Sequence, residues 1–283
     1  MDAGAEPAAE RTPASAAPAP PTPPPRTSNE LRYSLAIDLP VTVAAAAWLI
    51  TSELEKQDLV PRACVICEIG KGGSDHLNGF DAAFRSAFVR RDITAADTTS
   101  NVIGYGLAPA SAVALFALAA QRDDGSLQNT PVDLLLTAEA TLLSMDVNQL
   151  VKLVVPRERP YLHFADATAR QSPQSAESRV SFYSLHTSAT FALAVSAGTV
   201  AELRGYSIAP LIFGSGLLLG ATTGYMQMAA DRHYMSDVLV GAAMGSLIGF
   251  VVPFTFHRPL PGNLRLSGSP LPGGGLLGAS ATF

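Results

Sequence analysis

The chain has 283 residues, 48% hydrophobic and only 15% charged, with a net charge of −5. Two cysteines exclude a disulfide-built scaffold, and 19 basic residues against 24 acidic ones, with no basic run, exclude a nucleic-acid binder. Soluble domains usually carry about 25% charged residues, and the mean hydropathy here is +0.23. The charges are also unevenly placed: from Ser184 to Phe256 there are only Glu202, Arg204, Asp231, Arg232 and Asp237. Such a stretch points to lipid rather than water as the solvent.

Residues 1–30 mix proline with Ala, Ser and Thr and show no apolar periodicity, so they read as a disordered tail. They lack an apolar stretch and open with Asp2 and Glu6, so they do not read as a signal peptide, and membrane insertion is expected to start from an internal helix. A spanning helix needs about 20 mostly apolar residues. Six stretches approach that: Tyr33–Ser52, which carries Asp38 and Pro40; Asn101–Ala120; Val132–Val155, with Glu139, Asp146 and Asn148; Leu185–Leu203; Ile208–Met228; and Val238–Phe256. Gly241, Gly245 and Gly249 repeat at four-residue spacing in the last, which suits close helix packing. Residues 258–283, rich in Gly and Pro, read as a second disordered tail. The expected fold class is therefore all-α: a six-helix transmembrane bundle over residues 31–257 between two tails.

Six antiparallel spans put alternate connections on opposite sides. Residues 53–100, 156–183 and 229–237 then share one face, opposite both tails. Long connections in a compact protein commonly carry function. That face collects Lys152, Arg157, Arg159, Ser184, His186, Asp231, Arg232, His233 and Asp237. Six residues separate Lys152 from Arg159-Pro160; Ser184-Leu185-His186 opens the fourth stretch; His233 and Asp237 lie four apart at the start of the sixth. Four-residue spacing puts His233 and Asp237 on one helical face, where a carboxylate can hold an imidazole in one tautomer. That leaves His233 a nucleophile. Ser184 and the first amides of its helix suit an anion, His186 can act as a general acid, and Lys152 and Arg159 add fixed positive charge. Together these make a phosphoryl-transfer site of the positioning-plus-electrostatics kind, without a metal cluster.

The three groupings resemble the signature of the type 2 phosphatidic acid phosphatase (PAP2) superfamily, which also contains vanadium haloperoxidases. That signature runs Lys-X6-Arg-Pro, Pro-Ser-Gly-His and Ser-Arg-X5-His-X3-Asp, and the match covers Lys152–Asp237. The resemblance implies that His233 attacks phosphorus to give a phosphohistidine, that Asp237 orients it and that His186 protonates the leaving oxygen. Lys152, Arg159, Ser184 and the residue-185 amide would hold the phosphate, and no cofactor or metal is implied. The substrate partner would be a membrane lipid phosphate or isoprenoid diphosphate, with homo-oligomerisation left open.

The chain departs from the signature twice. Leu185 stands where the family has glycine. Gln227 and Met226 stand where it has arginine and serine, so Gln227 offers hydrogen bonds to phosphate but no charge. Arg232 and Arg157 are candidate replacements. These departures keep a second reading open, a catalytically impaired member that binds or moves lipids. Vanadate-dependent halide oxidation is a third, against which the spanning helices argue.

Cys64 and Cys67 lie on the same face. They read as a disulfide if that face is oxidising, as inert thiols otherwise, and as metal ligands only if His76 and another group join. Glu139, Asp146 and Asn148 should face the bundle interior as a polar network that Asp38 can join. His76, His163 and His257 receive no role, and His76 and His257 read as loop residues. Lys and Arg number seven on the tail side and twelve on the other, which by positive-inside counting puts the site in the cytoplasm. The resemblance implies the reverse, a multi-pass protein of the bacterial inner membrane with its site facing the periplasm.

Overall fold

The computed structural model describes residues 28–69, 74–166, 174–259, 264–271 and 274–281, and positions 1, 168 and 170 singly. The tail expected over residues 1–30 falls almost wholly outside the described residues.

Six long helices build the bundle, as the apolar stretches predict. α1 spans Leu35–Leu54 and is followed by the short α2 at Lys56–Leu59 and α3 at Gly79–Phe88. α4 (Ile93–Val102) runs through a π turn at Ile103–Leu107 into α5 (Ala108–Asp123). This rod begins eight residues before the apolar stretch because Asp92 caps it, its side chain accepting from the Ala95 amide at 2.8 Å. Then come α6 (Thr130–Val154), the single turn α7 (Pro160–His163), α8 (Leu185–Arg204), α9 (Ala209–Ala229) and α10 (Met235–Val252), the last extended by a π turn to His257.

α8 is the central post. Ser184 caps its start, and Gly205, at φ 77°, ends it in the left-handed conformation that glycine adopts without strain. It packs on α6, α9 and α10 and is buried over most of its length. The three glycines of α10 set its distance from α8. A β-carbon at Gly241, Gly245 or Gly249 would lie 2.8, 2.2 or 2.6 Å from the carbonyl oxygens of Ser184, Ser188 and Ala192. The spacing thus marks a packing face, in the way small residues let helices approach in lipid.

The sidedness expected from the loops holds. On one side, Ser28 bonds Asp124, Arg204 donates to Asp133 and to the Asn29 carbonyl, and Ser207 bonds Asp123. A core of Phe116, Leu136, Val200, Tyr206 and Ile212 lies behind them. The connections 53–100, 156–183 and 229–234 meet at the opposite end. The outward sides of the bundle are apolar: Leu35, Ile37, Leu39, Val43, Ile50 and Leu54 of α1 are all exposed. Three helices, Leu35–Leu54, Ile93–Asp123 and Met235–His257, are long and apolar enough to cross a membrane. Beyond the bundle, β1 (Leu264–Leu271) pairs antiparallel with β2 (Gly274–Ala281). This hairpin falls in a segment expected to be irregular, whose Gly- and Pro-rich composition hides any strand alternation.

Adding one methyl at Gly245 should force α8 and α10 apart. Gly245→Ala should lower the thermal unfolding midpoint in detergent, by about 1–3 kcal/mol of stability or more, whereas Ala243→Leu, on the exposed side of α10, should leave it within error.

Candidate active site

The connections at the site end are held by one side chain. The Val65 amide donates to the Pro156 carbonyl at 2.8 Å, and Arg157 bridges Ile66 on one side and Val180 on the other. This lays the first long loop alongside the second. The Arg157 guanidinium then donates to Glu68 (2.6 Å), Asp81 (2.8 Å), Asp237 (2.7 Å) and the Ser236 hydroxyl (2.8 Å), stacked 4.1 Å over the Tyr234 ring. Its donors are spent, so Arg157 does not stand in for an absent phosphate ligand. Arg232 pairs with Asp97 at 2.9 Å and does not line the cleft described below.

His233 sits in the turn before α10, not in the helix itself. Asp231 opens that turn with φ 56°, a left-handed conformation that Asp tolerates better than most residues. Arg85 clamps its carboxylate from both oxygens at 2.7 and 2.6 Å. The imidazole is buried, and its Nδ1 lies 2.7 Å from the Ser181 carbonyl. A carbonyl only accepts, so Nδ1 carries the proton and Nε2 is left with its lone pair. Asp237, expected as the direct orienting partner, stands 3.8 Å from Nδ1. Its carboxylate instead accepts from the Ser181 hydroxyl (2.6 Å), the Tyr234 amide (3.0 Å) and Arg157. Asp237 therefore fixes the segment that carries the Ser181 carbonyl rather than the ring. Burial, joined by the Arg159 charge and only partly offset by Asp237, pushes the His233 imidazole down to about 4. It is neutral at ordinary pH.

Nε2 opens on a cleft of about 620 Å³ lined by Lys152, Arg159, Leu185, His186 and His233. Arg159 Nη1 lies 3.2 Å from His233 Nε2, while its Nε donates to the Glu177 carbonyl at 2.7 Å. His186 Nε2 meets Asn101 Oδ1 at 2.6 Å, and its ring packs 4.6 Å from Tyr105, which the π turn projects into the cleft. Five of the eight expected catalytic and phosphate-site residues thus line one cavity. The other three do not. Ser184 is buried and its hydroxyl caps α8, accepting from Thr187; Gln227 is buried and donates to the Ser100 hydroxyl at 2.7 Å; Asp237 lies behind His233.

The cleft also takes side chains that carried no sequence signal. Glu53 and Lys56 come from the end of α1 and start of α2, and Glu177 from the second loop. Lys56 Nζ lies 3.0 Å from Glu177, which also pairs with Arg159, and Lys56 pairs with Glu53. Burial works against the Glu177 carboxylate, but the Arg159 and Lys56 charges overcome it and hold it at about 2. Lys152 is buried and forms no ion pair among the described residues.

Elsewhere, Cys64 and Cys67 are joined as a disulfide. Asn148 donates to the Tyr183 carbonyl at 2.7 Å, and His163 is buried 3.4 Å from Asp75. His257, expected in a loop, is instead buried at the end of the last helix beside Glu139 and Asp38.

The PAP2 superfamily model matches residues 133–259, a segment holding every residue of the three groupings. That segment belongs to the PAP2 superfamily. The chain is also similar to the crystal structure of the first transmembrane PAP2 type phosphatidylglycerolphosphate phosphatase from Bacillus subtilis. The identity is 14% and the TM-score 0.43, over 77% of this chain and 94% of that one. No curated protein matches it by sequence. With its apolar flanks and long apolar helices, this protein is an integral membrane protein.

Removing Arg157 would leave Glu68, Asp81 and Asp237 buried without their counter-charge. Arg157→Ala should cost about 3–5 kcal/mol of stability, read as a lowered unfolding midpoint in detergent.

Proposed function

We propose that this PAP2 protein is a membrane phosphatase that hydrolyses a lipid phosphate or lipid diphosphate through a phosphohistidine on His233. The observation that carries this reading is the fixed tautomer of His233: its Nδ1–H is committed to the Ser181 carbonyl, and its free Nε2 faces a cleft shared with Arg159, Lys152 and His186. Attack by Nε2 forms the P–N bond as the P–O bond to the lipid breaks. Arg159, 3.2 Å from the attacking nitrogen, and Lys152 meet the charge on the phosphoryl oxygens. His186, protonated beside the bound phosphate, exchanges the Asn101 oxygen for the leaving oxygen and gives it a proton, becoming the neutral imidazole. Water then attacks phosphorus with His186 as base, releasing inorganic phosphate and restoring His233.

The lipid part of the reading rests on an apolar groove of about 420 Å³ whose lining includes Val113, Leu142, Ala138 and Leu193. It shares Tyr105 and Met145 with the cleft, so an acyl or isoprenoid chain can lie there while its phosphate reaches His233. A larger cavity of about 780 Å³, between α8, α9 and α10, is lined by no cationic side chain and suits no phosphate. The Cys64–Cys67 disulfide favours an oxidising compartment, in keeping with a cleft on the periplasmic side of a bacterial inner membrane. A lipid carrier without turnover draws on Leu185, which lines the cleft, and on Gln227. Gln227 stands apart from the cleft, and Lys56 supplies a third cation within it.

His233→Ala should abolish phosphate release from short-chain phosphatidic acid and from an isoprenoid diphosphate in detergent; undiminished release overturns the mechanism. Because the neutral ring of His233 attacks, the acid limb of the wild-type kcat/KM profile should lie near pH 4, where His233 gains its proton, and an alkaline limb should mark loss of the His186 proton.

Lys56→Ala should raise KM severalfold with a smaller effect on kcat. Gln227→Arg should not raise turnover, because the new cation would be buried against Ser100 with no carboxylate beside it. Steady-state kinetics on both variants beside wild type checks this.

A further inference from the structure

At the tail-side end of the bundle, far along α1 from the cleft, three chemistry-bearing side chains converge from three parts of the chain. Asp38 comes from the first turn of α1, Glu139 from within α6 and His257 from the end of the last helix. All are buried, and a donor atom of each lies within 4.8 Å of the other two. None belongs to the phosphate site.

Two features show that the cluster is unfinished. Among the described residues, Glu139 Oε2 and His257 Nε2 are both buried without a hydrogen-bond partner, although they face each other at 4.0 Å. That is too long for a hydrogen bond, so the pair does not satisfy itself. In addition, His257 Nδ1 lies 3.0 Å from the Arg32 carbonyl. The proton must sit on Nδ1, and Nε2 points its lone pair into the cluster. A backbone carbonyl on the far ring nitrogen is the arrangement that orients metal-ligating histidines. Asp38 is held likewise, one oxygen accepting from the Ser34 amide at 2.6 Å.

We propose that Asp38, Glu139 and His257 form a zinc site. Two carboxylates and one neutral imidazole cancel the charge of a divalent ion, which a low-dielectric interior requires, and an imidazole in the set favours zinc over magnesium. Ligands on one tetrahedral zinc sit about 3.3 Å apart, with metal–ligand bonds of about 2.0–2.1 Å. The three groups reach that spacing by drawing in about an ångström. The consequence is mechanical. α1 packs within the bundle chiefly on α6, and its other end supplies Leu49, Ile50, Glu53 and Leu54 to the cleft wall. An ion joining α1 to α6 and to the last helix fixes that wall from its far end.

The test uses the full chain purified in detergent without chelator, with zinc measured by mass spectrometry. About one zinc per chain is expected in wild type, with most of it lost in Glu139→Gln and His257→Gln. Equal zinc in wild type and Glu139→Gln overturns the site. Since a substitution here can also loosen the fold, wild-type protein is stripped with a chelator and titrated back. Its unfolding midpoint should rise by several degrees with Zn²⁺ and not with Mg²⁺, and the rise should be absent in Asp38→Asn. No response to Zn²⁺, or an equal response to Mg²⁺, overturns the assignment. Neither readout uses phosphate release, so its outcome is separate from that of the phosphatase reading.

Discussion

The site depends on one buried guanidinium. Arg157 draws Glu68 and Asp81 from the first loop, and Asp237 from the start of α10, onto the strand-like segment that leads out of α6. Burying such ions costs several kcal/mol each unless every remaining lone pair is met. Here they are met: Asp81 accepts from the Ser236 amide and hydroxyl and from Asn78, and Asp237 from Ser181 and Tyr234. The knot is therefore rigid because it is buried. Its reach explains why His233 is held in place, since Ser181, which Asp237 holds through its hydroxyl, is the residue whose carbonyl holds the imidazole.

A second constraint places the two histidines relative to each other. His186 belongs to the first turn of α8, and His233 to the turn before α10. The glycines of α10 let those helices touch backbone to backbone, and at their ends the Ser184 amide donates to the Asp237 carbonyl at 3.1 Å. The start of α8 is thus in register with the start of α10. Leu185, where the family signature has glycine, lines the cleft as a wall residue. The close approach at this point is supplied instead by Gly241, from the opposite helix.

Much of this was legible because the chemistry lies at helix ends at fixed spacing. Lys152, Arg159, His186 and His233 needed only a correct helix layout to be placed together. Asp237 acts on the His233 ring less directly than the spacing implies, for a local reason. Residues four apart meet when both are helical, but His233 precedes the Tyr234 N-cap, and the pair is left 3.8 Å apart. Gln227 was aligned by counting back from His233, yet it lies on α9, whose last turns face Ser100. Glu53, Lys56 and Glu177 carried no signal, because they lie in or beside polar connections whose path is set by tertiary contacts, and Asn101 is a lone amide at the edge of an apolar stretch. His257 looked like a loop residue because its burial depends on the Arg32 segment folding over the end of the last helix.

The extra carboxylates in the cleft have an electrostatic logic. Lys56, Lys152 and Arg159 converge in a cavity walled by apolar helices, where mutual repulsion is weakly screened. Glu53 and Glu177 balance two of these charges, Glu177 by bridging Lys56 and Arg159. Among the described residues Lys152 forms no ion pair, and on the proposed reading its Nζ is left for the phosphate. Glu177 stays 39% exposed despite its partners, so it can swing toward solvent while the Glu177 carbonyl keeps its hold on Arg159 Nε. On the proposed reading an anionic headgroup takes over contacts already oriented by a carboxylate, and the fold need not assemble three bare cations beforehand.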